Sequence, residues 1–111
     1  MINQDWGRII FISSESGVQI PSEMIHYGTT KTAQLGVARG LAQQTSGTNV
    51  TVNSVIPGST RSEGAEKFIS DLAKEKGKSI DEIEREFFET VRPSCLIKRF
   101  ATIEELSLIH I

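Results

Sequence analysis

Apolar residues recur along this chain in two rhythms, and the switch between them marks its elements. Residues 8–13, Arg-Ile-Ile-Phe-Ile-Ser, form a short unbroken run of β-branched and aromatic side chains, the pattern of a strand buried on both faces. A Ser-Glu-Ser-Gly turn follows at 14–17. From about Glu23 to Gln44 the spacing becomes helical, with Leu35, Ala38, Leu41 and Ala42 recurring and Gly28, Gly36 and Gly40 as the main breakers. A glycine in a helix costs about 1 kcal/mol against alanine, so these three are expected to admit close packing against the helix. Thr45 to Asn49 has the composition of a turn, Val50 to Ile56 reads as a second strand, and Pro57-Gly58 ends it. Strand, long helix, strand is the parallel crossover unit, so the fold class predicted is α/β with a doubly wound parallel sheet.

Beyond Ser62 the texture is helical and charged. Phe68, Ile69 and Leu72 mark one amphipathic stretch that ends near Gly77. Ser79 followed by Glu82 is a capping box, and Ile80, Ile83, Phe87 and Val91 carry the apolar face of the next helix until Pro93 stops it. Thr102 and Glu105 form a second box announcing a third helix, which the six residues that follow are too few to build. No internal repeat, low-complexity segment or linker interrupts the chain.

Composition narrows the classes of function. The chain has 111 residues, one domain at most on the usual scale of roughly 100–200 residues per domain. With 12 basic and 14 acidic residues it carries a formal charge of −2, which argues against a nucleic-acid partner and against a polybasic membrane anchor. Its longest apolar run, Ile9 to Ile12, is far below the ~20 residues of a membrane span, and its start lacks the pattern of a signal peptide. The single cysteine, Cys95, forms no internal disulfide and builds no metal framework, so a cytoplasmic setting is expected and Cys95 is expected to pack as a small apolar residue.

In an open α/β sheet, ligands sit beyond the carboxyl ends of the strands. Those positions are Ser13-Ser14-Glu15-Ser16-Gly17 and Pro57-Gly58-Ser59-Thr60-Arg61-Ser62, both rich in hydroxyls and backbone donors. Near the start of the crossover helix stand Tyr27 and Lys31, four apart and so on one face. An ammonium beside a phenol favours the phenolate, which makes a tyrosine usable as a general acid and base; alone, the pair is equally a solvated surface pair. Ser13 and Ser16 read as turn formers. His26 has no ligand-spaced partner, and Glu15 faces either a substrate mouth or solvent.

Taken in order, these segments resemble the short-chain dehydrogenase/reductase family. The resemblance runs from about Trp6 to Glu105. It rests on Gly7-Arg8-Ile9-Ile10-Phe11-Ile12-Ser13-Ser14, on Tyr27-Gly28-Thr29-Thr30-Lys31, on Val52-Asn53-Ser54-Val55-Ile56-Pro57-Gly58, and on Ile97 to Glu105. It implies a Rossmann fold, NAD or NADP as cofactor, a small carbonyl or alcohol substrate, and a homo-oligomeric parent protein. It also implies roles for particular residues. Ser14 would hydrogen-bond the substrate oxygen, Tyr27 would move the proton and also contact the cofactor, and Lys31 would bind the nicotinamide ribose hydroxyls and lower the tyrosine pKa. Pro57 and Gly58 would lie against the nicotinamide, Thr60 would meet its carboxamide, and Ser62 would approach the pyrophosphate. Residues 63–95 would be the substrate-covering lid. The Gly36/Gly40 face resembles the surface through which family members pair helices, so the competing reading is a non-enzymatic interaction or oligomerisation module.

Parts of the family pattern are missing. The glycine-rich turn that seats the pyrophosphate, the Asn-Ala-Gly element and the catalytic asparagine all belong before Trp6. Residues 1–105 are therefore expected to be a partial domain, lacking the N-terminal nucleotide-binding half and inactive alone, with Met1 an internal methionine. The last six residues, Leu106-Ser107-Leu108-Ile109-His110-Ile111, match the translation of a transposon-end sequencing adaptor, so 106–111 is expected to be a non-native tail.

Overall fold

Two strands and a long helix make the first of two units in the computed structural model, which describes residues 1–107. Strand β1, Gly7–Ile12, pairs in parallel with β2, Val50–Val55, with Gly7 opposite Val50 and Ile12 opposite Val55. Helix α1, Ile25–Gln44, is the crossover between them. This is the strand-helix-strand arrangement that the apolar rhythm predicts. The ladder continues past both strands: Ser13 N–H donates to the Val55 carbonyl at 2.9 Å and Glu15 N–H to the Pro57 carbonyl at 2.8 Å. At the opposite end, the Asp5 carboxylate accepts from the Asn49 backbone and side-chain amides, which hold its pKa below the ordinary aspartate value.

The sheet departs from the sequence reading in one respect. Burial along β1 alternates, with Gly7 buried and Ile9 and Phe11 half-buried, while Ile10 and Ile12 are 45% and 52% exposed. A single helix covers a single face. Ile9 and Val50 line a groove with Leu41, Gln44 and Thr45, so the Ile9 row is the one turned toward α1. Strands expected to be buried on both faces are therefore covered on one.

The glycines of α1 also divide. A Cβ on Gly28 would come within 2.5 Å of Ile20 Cγ2 and 2.8 Å of the Ser16 carbonyl oxygen, and one on Gly17 within 2.9 Å of the Lys31 backbone. The turn after β1 thus lies directly on the helix. At Gly36 and Gly40 a Cβ would meet nothing within 4 Å, so the close packing expected there is not made within this chain.

The second unit begins at Ser59. Helix α2, Glu63–Lys76, starts where Ser62 Oγ accepts from the Ala65 N–H at 3.3 Å, and it ends at Gly77. Helix α3, Ile80–Glu86, opens on the predicted capping box, in which Ser79 N–H donates to Glu82 and Glu82 N–H to Ser79 Oγ. Its last turn widens into a π-turn over Phe87–Val91, closed by Arg92 N–H on the Phe87 carbonyl at 3.0 Å. The extra residue in this turn lets two consecutive aromatics serve one core. Phe87 stacks on Phe100 at 5.4 Å, and Phe88 meets the same ring edge-on at 5.1 Å. Ile69, Ala73, Ile83, Phe88 and Phe100 form the buried cluster, with Cys95 packed against it as an apolar residue.

The third helix, expected to be too short to form, is present as α4, Ile103–Ser107. Its capping box is complete, with Thr102 N–H donating to Glu105 at 2.8 Å and Glu105 N–H to Thr102 Oγ1 at 3.1 Å, so a single capped turn suffices. Leu106 and Ser107 complete that turn, and the rest of the expected non-native tail, 108–111, lies outside the described residues. Before α4 the chain returns to where the unit began. Thr60 bridges Ala101, with Arg61 N–H on the Ala101 carbonyl at 2.8 Å and Ala101 N–H on the Ser59 carbonyl at 2.9 Å.

Candidate functional site

Five of the seven candidate residues belong to the first unit, at the carboxyl end of its sheet. The Glu15-to-Pro57 hydrogen bond joins the loops that follow β1 and β2, so Ser14 and the Pro57-Gly58 turn are held by the strand ladder itself. Ser14 is half-buried and in extended backbone, and its Oγ accepts from Ser16 N–H at 3.1 Å. A hydroxyl has one proton and two lone pairs; this contact uses a lone pair and leaves the O–H available to donate outward.

Helix α1 supplies the second half of the constellation. Lys31 Nζ stands 5.6 Å from the centre of the Tyr27 ring and donates to the Ile12 carbonyl at 3.0 Å. The pairing that four-residue spacing predicts is thus present, and the ammonium is anchored to the end of β1. Of its three N–H donors, one is committed to Ile12.

Side chains not assigned to catalysis hold this arrangement. Ser13 is buried, and its Oγ donates to the Lys31 carbonyl at 2.9 Å. Thr32 Oγ1 is within hydrogen-bond distance of the Gly17 carbonyl at 2.7 Å and the Gly28 carbonyl at 2.9 Å. Together with the glycine contacts, these ties clamp the Ser14–Gly17 turn to the first turns of α1. Sequence reading placed Ser13 in a turn but did not find its link to Lys31. The signal lay in paired small and hydroxyl residues, Ser13 with Gly17 and Gly28 with Thr32, facing one another across the turn.

At Gly58 the Pro57-Gly58 turn carries no side chain. Gly58 is exposed, and a Cβ there would meet only the Glu15 carboxylate, 3.2 Å from Oε2. Glu15, left open between substrate mouth and solvent, is half-buried with its carboxylate against this turn.

Thr60 and Ser62 lie in the second unit. Thr60 is half-buried in the bridge to Ala101. Ser62 is exposed, and its hydroxyl is the N-cap of α2, a use the sequence reading did not assign to it. The acidic residues that follow, Glu63 and Glu66 in the first helical turn, are the local signal of that cap. Among the described residues, no three His, Cys, Asp or Glu side chains gather as a metal site, and no helix is long and apolar enough to cross a membrane.

Comparison with known proteins bears on the fold and the family. The profile of the short chain dehydrogenase family matches residues 1–73. The chain is 43% identical over 107 residues to the uncharacterized oxidoreductase YvaG of Bacillus subtilis, covering 96% of this chain and 40% of that protein. Among solved structures it is similar to L-sorbose reductase from Gluconobacter frateurii complexed with NADPH and L-sorbose. That match has a TM-score of 0.83 and 28% identity, and covers 96% of this chain and 39% of that one. It is also similar to NAD+-bound xylitol dehydrogenase, with a TM-score of 0.76 and 26% identity over 98% of this chain and 42% of that one. The chain therefore spans about 40% of the length of the relatives it matches.

Proposed function

The chain belongs to the short chain dehydrogenase family, and on that premise we propose that the complete protein carrying it is an NAD(P)-dependent oxidoreductase. It interconverts a small carbonyl compound and the corresponding alcohol. The observation that carries this reading is Lys31 Nζ beside the Tyr27 ring at the carboxyl end of β1.

The residues present fit a nicotinamide dinucleotide. Gly58 offers a flat surface without a side chain, and Lys31 has donors beyond the one it gives to Ile12, as binding a ribose hydroxyl requires. Pro57, Gly58 and Thr60 would hold the nicotinamide, Lys31 the ribose, and Ser62 the pyrophosphate side. For Ser62 this means sharing a hydroxyl already engaged with the Ala65 N–H. The dinucleotide, when bound, supplies or takes the hydride. Ser14, its O–H directed outward by the Ser16 contact, donates to the substrate oxygen and orients it. Tyr27 gives its phenolic proton to that oxygen in reduction and takes it back in oxidation. Lys31 stabilises the phenolate between those events, and Ser13 and Thr32 keep α1 and the Ser14 turn in register.

Two measurements test the reading. In the complete protein, Tyr27→Phe is expected to lower kcat by roughly 10²–10⁴-fold with dinucleotide affinity within about two-fold of the original, because only proton transfer is lost. A variant that retains full turnover overturns the assignment. The 111-residue chain alone is expected to bind NADH and NADPH poorly in a fluorescence titration, and micromolar affinity contradicts that expectation.

A second reading, pairing of α1 between copies, is favoured by the open surface at Gly36 and Gly40. Sedimentation of the complete protein with Gly40→Leu tests it, an unchanged oligomer arguing against that face.

A further inference from the structure

Arg61 stands between the two second-unit residues assigned to the cofactor, Thr60 and Ser62. Its guanidinium reaches across the unit. Arg61 Nη2 pairs with Glu84 Oε2 at 2.5 Å, and the guanidinium carbon lies 5.7 Å from the centre of the Phe100 ring. The second Glu84 oxygen accepts from Phe100 N–H at 3.2 Å. One carboxylate on α3 therefore binds both the outgoing segment at Arg61 and the returning segment at Phe100, which the Arg61–Ala101 and Ala101–Ser59 backbone bonds already join.

This pair differs from its neighbours. The side chains of Lys78 and Glu86, and of Arg99 and Glu105, are all 40% exposed or more, the setting in which an ion pair contributes little. Here Arg61 is likewise 40% exposed, but Glu84 is only 15% exposed and both of its oxygens are committed. The pair borders the aromatic core at Phe100. Beside it is a cavity of about 220 Å³, where Arg61 and Glu66 meet Ile69 and Phe100 of the core.

We propose that Arg61 and Glu84 are positioning residues that fix the Ser59–Ser62 segment to α3 and Phe100, coupling the cofactor contacts of that segment to the placement of the helical excursion. This rests on the function proposed above, because it takes Thr60 and Ser62 as dinucleotide contacts. A joint of this kind acts through affinity. It holds the backbone that meets the cofactor in its bound shape, and it does not touch the reacting atoms.

The test uses the complete protein, with dinucleotide Kd from fluorescence titration, KM and kcat, and the Tm of the unliganded form. Glu84→Gln is expected to raise Kd and cofactor KM by about 5- to 20-fold, with kcat at saturating cofactor within about two-fold. The Tm is expected to stay within roughly 2 °C. Arg61→Lys, which keeps a cation opposite Glu84 and leaves the Phe100 N–H its acceptor, is expected to retain most of the affinity. An unchanged Kd in Glu84→Gln overturns the proposal. So does a rise in Kd that follows a large fall in Tm and appears equally in Arg61→Lys, which is the mark of a merely structural pair. If the unsubstituted protein binds no dinucleotide, the functional reading fails and the inference fails with it; binding that is insensitive to Glu84 leaves the reading standing and removes the inference alone.

Discussion

In the unit that ends at Gly58, Ile10 and Ile12 stand 45% and 52% exposed on a two-stranded sheet; in the unit that begins at Ser59, Ile83 and Phe88 are 1% exposed among helices. The exposed stretch is the more apolar in sequence, with four apolar residues of six in Gly7–Ile12 against five of twelve in Ile80–Val91, so hydrophobic content does not explain the difference. Architecture does. A helix pair with a π-turn encloses its own aromatic cluster, whereas a parallel sheet has two faces and one crossover helix covers only one. The polar chemistry follows the same division: Ser14, Tyr27 and Lys31 sit where the sheet is open, and the ion pairs sit around the closed cluster.

The largest expected effect separates the two by truncation. Phe88→Ala removes a ring at 1% exposure and is expected to cost about 3–5 kcal/mol, unfolding the second unit. Ile12→Ala, half exposed, is expected to cost less than about 1 kcal/mol in the same denaturant titration. Equal costs would break the distinction between closed and open units.

A smaller effect sharpens the comparison within α1. Gly28→Ala drives a methyl group into Ile20 and the Ser16 carbonyl, an overpacking expected to cost about 1–3 kcal/mol and to loosen the Ser14 turn. Gly36→Ala meets open space and is expected to stabilise this chain by about 0.5–1 kcal/mol through helix propensity. Thermal melts of the two variants should move in opposite directions.

The smallest effect is a pH dependence read at Glu105 in the second unit. The Arg99 guanidinium, and then the Thr102 N–H, hold the Glu105 carboxyl down to about 2 from an ordinary value of 4.5. A carboxyl with a depressed folded-state pKa stabilises fully above its unfolded value, and that contribution fades as pH falls from 4.5 toward 2. Carbon-detected NMR titration of Glu105 should therefore show its midpoint near 2, with α4 amide signals shifting in that window. A midpoint near 4.5 would show the cap to be unmade in solution.

What the sequence made legible was local. Capping boxes need only residues three apart, so Ser79/Glu82 and Thr102/Glu105 were readable directly; the second was strong enough to build α4 where too little chain had been expected for a helix. The Tyr27/Lys31 pairing followed from helical spacing in the same way. Features that depend on distant chain were not legible. Ile10 and Ile12 carry the pattern of a buried strand, but pattern alone does not say whether a second layer arrives. The π-turn at Phe87–Val91 arises because Phe87 and Phe88 both contact Phe100, and Arg61 meets Glu84 across 23 positions. Ser62 shows the remaining ambiguity: one hydroxyl serves as a helix cap and is also proposed to meet a ligand.

The bridge between Thr60 and Ala101 has an evolutionary consequence. A stretch that departs and rejoins at a single clamped point is a cassette. Its two ends are joined by backbone hydrogen bonds, and doubling the length of an enclosed segment adds only about 0.6 kcal/mol of closure entropy. Helices of other lengths are thus accommodated between Arg61 and Phe100 at little cost in chain closure, as long as a carboxylate stands where Glu84 meets both ends.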